Sequence, residues 1–126
     1  MSIFYKAFKR ANPQDRSQVK FYAFATTTGE ITLRELAELI AEMTALSVAD
    51  VEATIIALVL VMPQALSDGK IVHLGDLGSF RLSIRSRGEA TADEVDVHSI
   101  LGAHIIFTPS KALKRFFSKL HYTKQK

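Results

Sequence analysis

Cysteine is absent from this chain of 126 residues, which excludes a disulfide scaffold, a cysteine zinc site and thiol catalysis, and leaves the redox compartment open. Long apolar runs are also scarce. The longest, residues 55–62 ahead of Pro63, is far shorter than the roughly 20 residues that span a bilayer. Residues 1–10 interleave Phe4, Tyr5 and Phe8 with Lys6, Lys9 and Arg10, so the apolar core of a signal peptide is missing and a soluble cytoplasmic protein is expected. Among His73, His98, His104 and His121, no pair has the close helical spacing of a metal site. There is no nucleophile elbow, and Asp93 and Glu94 lie in a polar stretch where burial will not tune their acidity. Gly75 and Gly78 are not followed by Gly-Lys-Ser/Thr, so they do not form a phosphate loop. The expectation is a protein that is not an enzyme, with no cofactor, metal, membrane or small-molecule substrate.

Positive charge is scarce in the middle of the chain. Residues 32–69 hold Arg34 alone against six acids, whereas residues 1–31 carry five Lys/Arg against two acids and residues 70–126 carry ten against five. The net charge of +3 is therefore unevenly spread, and a basic sheet and C-terminal helix would sit on a neutral-to-acidic helical base. One basic face is what a phosphate-binding surface needs. With 48% hydrophobic residues, the length suits one domain able to bury roughly two thirds of its unfolded surface.

Alternation predicts strands over residues 3–10 and 19–25, joined by the turn-forming Asn12-Pro13-Gln14-Asp15. In the second strand Val19, Phe21, Ala23 and Ala25 share a face, opposite Lys20, Tyr22 and Phe24. Aromatics interleaved with lysines suit a nucleic-acid stacking platform, but an amphipathic strand pair covering a core is the preferred reading. Thr32 and Glu35 form a capping box ahead of the stripe Leu33, Leu36, Ala37, Leu39, Ile40 and Met43, a first helix ending near Ala45. A second helix starts from Ser47, with Asp50 and Glu52 in its first turn. It is apolar nearly all round from Ile55 to Leu66, so a partner subunit is expected to cover it. Pro63 predicts a kink or a restart, and Asp68-Gly69 the end.

Strands are expected over residues 70–74 and 79–84, with Gly75 and Gly78 turning the backbone between them. The polar stretch 85–99 lacks a core pattern and is expected to project as a mobile arm. Residues 104–107 return as a strand, and 110–120 form a helix with Leu113, Phe116, Phe117 and Leu120 inward. Lys111, Lys114, Arg115 and Lys119 are left for its outer side. Arg81, Arg85 and Arg87 share odd numbering and would point to one face of an extended strand. That row suits phosphates or a narrow minor groove. A solvated sheet face is the equally weighted alternative.

The order of these elements resembles the HU and integration-host-factor family of bacterial histone-like DNA-binding proteins, in a longer subclass with an N-terminal strand extension. Residues 31–80 follow its helix, helix, turn, strand, Gly-x-x-Gly-x-Phe order through Gly75, Gly78 and Phe80, and Phe107-Thr-Pro-Ser-Lys-Ala-Leu-Lys114 looks like its Phe-x-x-Gly-Lys-x-Leu-Lys. Ser110 replaces the glycine. Together these segments cover about half of the chain. The resemblance implies an α+β fold, an intertwined homodimer with a helical base, a β-sheet saddle and arm, a C-terminal helix and an N-terminal β extension. Residues 1–126 would be one domain, divided into the extension (1–30), the helix-helix-strand body (31–84), the arm (85–99) and the return strand with its helix (100–126). It also implies double-stranded DNA as partner and a nucleoid-associated location, with Gly78, Ser79, Arg81, Arg85, Arg87, Lys111, Lys114 and Arg115 toward the duplex. One departure matters. DNA-bending members carry Arg-Asn-Pro-x-Thr-Gly in the arm, whereas here Arg87-Gly88 is followed by Glu89-Ala90-Thr91-Ala92-Asp93-Glu94. Without a proline wedge, sharp bending is not expected, and largely sequence-independent backbone binding remains. The alternative function is an HU-like protein-interaction or assembly module that has lost DNA binding.

Overall fold

The computed structural model describes residues 2–126 as a mixed α+β chain with three α-helices and two three-stranded sheets. Strands β1 (Ser2–Ala11) and β2 (Val19–Thr26) pair antiparallel in full register from Phe4↔Thr26 to Ala11↔Val19. The turn between them is closed by Asn12 and Asp15, whose side chains accept the Gln14 and Ser17 N–H groups. Beyond the sequence expectation, a short strand β6 (His121–Lys124) returns parallel to β1, pairing Ser2 with His121 and Tyr5 with Lys124. Four residues are too few for a period to stand out, and parallel pairing carries no turn signal.

Helix α1 (Leu33–Met43) starts at Thr32, whose hydroxyl accepts the Glu35 N–H at 3.2 Å. The box is only half formed, since Glu35 takes the Thr32 hydroxyl. Helix α2 (Val48–Ser67) has the complete version from Ser47 and Asp50. It runs through Pro63 without a restart, and Gly69 and Lys70 donate to the Leu66 and Ala65 carbonyls to end it. At 20 residues it is long and apolar enough to cross a membrane by length and composition. The apolar surface exceeds the run 55–62, because Ala53, Ala65 and Leu66 belong to the same helix and only Asp50 and Glu52 in it are charged. Arg34 clips the two helices together at 3.1 Å from Glu52, with Glu38 at 3.4 Å. Glu52 first and then Glu38 raise the guanidinium's affinity for its proton.

Among the described residues, Ala37, Val51 and Leu66 are the buried apolar side chains. Met43 is 87% exposed and Val59 61%. The chain exposes 10652 Å², against about 6,700 Å² for a compact monomer of this length. It buries roughly half of its unfolded surface, short of the expected two thirds. The N-terminal strand pair likewise covers no core within the chain, as Phe8, Phe21 and Tyr22 are exposed.

The second sheet has the order β3 (Val72–His73), β4 (Gly78–Ser86), β5 (Ile100–Pro109), all antiparallel. Gly75 (φ +55°) lies in the β3–β4 link, and Gly78 (φ +141°) opens β4. A Cβ on Gly78 would collide with the Thr108 carbonyl oxygen and lie 2.9 Å from Pro109 Cα. Alanine at Gly78 should therefore destabilise the fold by at least the ~1–3 kcal/mol of a disfavoured backbone region, while alanine at Gly88, which has open space and no positive φ, should be near neutral. Paired thermal melts check this; equal melting temperatures would contradict the packing argument.

Candidate nucleic-acid interface

Register sorts the residues of β4 and β5 onto two faces. Phe80, Leu82 and Ile84 lie opposite Phe107, Ile105 and Ala103, and the Phe80 and Phe107 rings are 4.8 Å apart. Helix α2 lies beside β3 and β4, and Leu82, Ile84 and Ile105 on this apolar face are exposed. On the other face Ser79, Arg81, Ser83 and Arg85 lie opposite Thr108, Ile106, His104 and Gly102. It holds no acidic residue. Both arginines are exposed, and the Arg85 guanidinium reaches over Gly102, 3.7 Å from where a Cβ would stand.

Arg87 does not continue this row. A register shift between Arg85 and Ser86 breaks the alternation, and Arg87 lies beyond β4, its Nε 2.8 Å from a Glu89 carboxylate oxygen. Shared odd numbering holds only while the strand is regular.

The expected mobile arm is a closed polar loop. The Arg87 N–H donates to the Ser99 carbonyl at 2.9 Å, and Ser99, fully buried, donates its hydroxyl to Glu89 at 2.9 Å and accepts the Asp96 N–H at 3.2 Å. Two 3₁₀ turns, Ala92–Glu94 and Val97–Ser99, fill the loop. Polar groups that satisfy one another locally hold it, so it needs no apolar period. Replacing Glu89 by alanine strips the buried Ser99 hydroxyl of its acceptor, a cost of about 1–3 kcal/mol. Amide exchange should quicken across residues 87–99 and stay slow in the β4–β5 ladder; unchanged loop exchange would contradict this.

Helix α3 (Lys111–Phe116) is anchored beside the β3–β4 link by Ser110. Its hydroxyl accepts the Leu113 N–H at 3.0 Å and donates to the Asp76 carbonyl, and its N–H donates to the Leu77 carbonyl at 3.2 Å. Lys111, Lys114 and Arg115 are exposed. Among the described residues, neither these three nor Arg81 and Arg85 has an acid within ion-pairing distance. Gly78, buried, and Ser79, half-buried on the face of Arg81, open β4, and Gly78 has only backbone to offer there. Phe116 and Phe117 do not point inward. They stack edge to face at 5.5 Å, 68% and 51% exposed, because the helix ends after six residues and a 3₁₀ turn, Phe117–Lys119, follows. His104, between the two arginines and opposite Ser83, was not singled out from the sequence. Its place depends on a cross-strand register that no single segment encodes.

A two-helix base with an antiparallel sheet whose outer face is basic, and a short basic helix at its edge, defines an HU-like α+β protein. The chain belongs to the HU-HIG family, described as an HU domain fused to wHTH, Ig, or glycine-rich motif, which matches residues 1–124. It is also similar in fold to a protein of Bacteroides vulgatus ATCC 8482 assigned as a bacterial DNA-binding protein, with TM-score 0.62 and 17% identity over 99% of this chain. The chain spans half the length of that protein. No curated protein matches it.

Proposed function

We propose that this protein is a histone-like, largely sequence-independent binder of double-stranded DNA that acts as a homodimer, is cytoplasmic and nucleoid-associated, and helps organise the nucleoid. The observation that carries the reading is the acid-free sheet face bearing Arg81 and Arg85 beside the unpaired Lys111, Lys114 and Arg115 of α3. Family membership and the assignment of the Bacteroides protein to DNA binding support it. Cations on a rigid sheet displace condensed counterions from phosphates, which gives affinity without base reading. The backbone of Gly78 and Ser79 would approach the duplex, with α3 taking the flanking phosphates. Arg87, engaged by Glu89, adds less than its neighbours.

Homodimerisation is supported by the uncovered surface. The excess over a compact monomer is about 4,000 Å² per chain, so two copies have about 8,000 Å² of surplus surface between them, more than the roughly 2,000 Å² total at which obligate interfaces begin. Leu39, Ile56, Val59 and Leu60 supply an apolar patch on the helices.

Exchanging Arg81 and Arg85 for alanine should weaken binding to every duplex sequence alike. With two such cations lost per protomer, four per dimer, the slope of log affinity against log salt should fall by about 3 to 4. Fluorescence anisotropy with random duplexes at several salt concentrations checks this, with dimer mass verified by light scattering. An unchanged slope would move the site elsewhere. A stable dimer that ignores duplex at low salt would point to a protein-interaction module instead.

A further inference from the structure

The first sheet has two unlike faces, and neither is used by the duplex-binding reading. On one, Ile3, Tyr5, Ala23, Ala25 and Tyr122 line a shallow apolar concavity of about 410 Å³, and the cross-strand pair of Lys9 and Phe21 lies beyond it. On the other, register sets basic and aromatic residues in cross-strand rows: Lys6 opposite Phe24, Phe8 opposite Tyr22, Arg10 opposite Lys20. All six are exposed. The aromatics form the centre, with Phe8 and Phe24 edge to face at 5.5 Å, and the cations stand at both ends. No acid occurs among the strand residues of this face. Phe8, Lys9, Arg10 and Phe24 border a second open concavity of about 430 Å³.

Three exposed rings on a solvent-facing sheet are costly in water unless something stacks on them. A purely apolar partner would fit the concavity of the opposite face better, because Lys6, Arg10 and Lys20 would each lose hydration against it with no acid among the strand residues of their own face. An occupant that offers flat π-faces at the centre and negative charge at both ends satisfies both demands. A duplex does not qualify, since its bases are stacked on one another and present only their edges. Unpaired nucleotides do.

We propose that this face of β1 and β2 binds single-stranded nucleic acid, stacking bases on Phe8, Tyr22 and Phe24 and holding the backbone with Lys6, Arg10 and Lys20. The site lies on different strands from Arg81 and Arg85, so the protein holds paired and unpaired nucleic acid by separate surfaces.

The test uses the full chain with fluorescein-labelled oligothymidylate and oligouridylate, and the duplex in parallel, all by anisotropy at low salt. The double variant F8L/Y22L keeps apolar strand residues at exposed positions and removes the rings. Single-strand binding should weaken about tenfold or more, as expected for lost base stacking, while duplex binding stays within twofold. K6Q/K20Q, which leaves the rings intact, should lower the salt slope for single strands only. Circular dichroism verifies that both variants keep the sheet. The arginine variant of the second sheet should retain single-strand binding, so loss of the duplex site and loss of this one are distinguishable. Equal affinity for the two homopolymers identifies stacking on unpaired bases in general; preference for oligouridylate identifies RNA as the ligand. If the unmodified protein binds neither homopolymer at low salt, or if F8L/Y22L binds them as well as the unmodified chain does, the proposal is overturned.

Discussion

Apolar surface that one chain cannot cover is the constraint on which the rest of the structure depends. Helices α1 and α2 pack against each other with Ala37 and Val51 buried, leaving Leu39, Ile56, Val59 and Leu60 exposed. The sheet of β3, β4 and β5 repeats the problem, with Leu82, Ile84 and Ile105 open on its apolar face. Burial is worth about 25 cal/mol per Å² of apolar surface, so an excess of this size is a large driving force for association. In the proposed dimer a second copy covers the helical base, which leaves the basic sheet faces to solvent and to DNA.

Polarity is divided by strand register. In β4 even-numbered residues are apolar and odd-numbered ones are Ser79, Arg81, Ser83 and Arg85, until the irregularity after Arg85 ends the alternation. There the chain leaves the sheet, and Glu89 meets Arg87 and Ser99 in one polar cluster. An acid that would repel phosphate from an extended arm is instead used inside a closed loop. The departure of this segment from the proline-bearing arm of DNA-bending relatives thus has a structural counterpart, a compact loop in place of a probe that could wedge between bases.

Much of the fold was legible because its signals are local. Thr32, Ser47 and Gly69 mark helix ends, and the alternation around Phe21 and Leu82 marks strands. What was not legible depends on distant partners or on polar groups that satisfy one another. The pairing of Tyr5 with Lys124, the position of His104 between two arginines, and the Asp96 and Ser99 contacts leave no hydrophobic period. Of the candidate interface, Arg81 and Arg85 could be paired from their spacing. Arg87 could not, since the shift beside Ser86 is invisible in residue parity. Phe116 and Phe117 were placed inward on the strength of a helical stripe that the short α3 does not sustain.

The most direct test of the account is the mass and salt dependence of the complex with a random-sequence duplex, measured together by light scattering and anisotropy. Two chains per bound unit, with log affinity falling linearly in log salt at a slope of several phosphates, is the result the account predicts. A bound monomer, or affinity that does not change with salt, would contradict it.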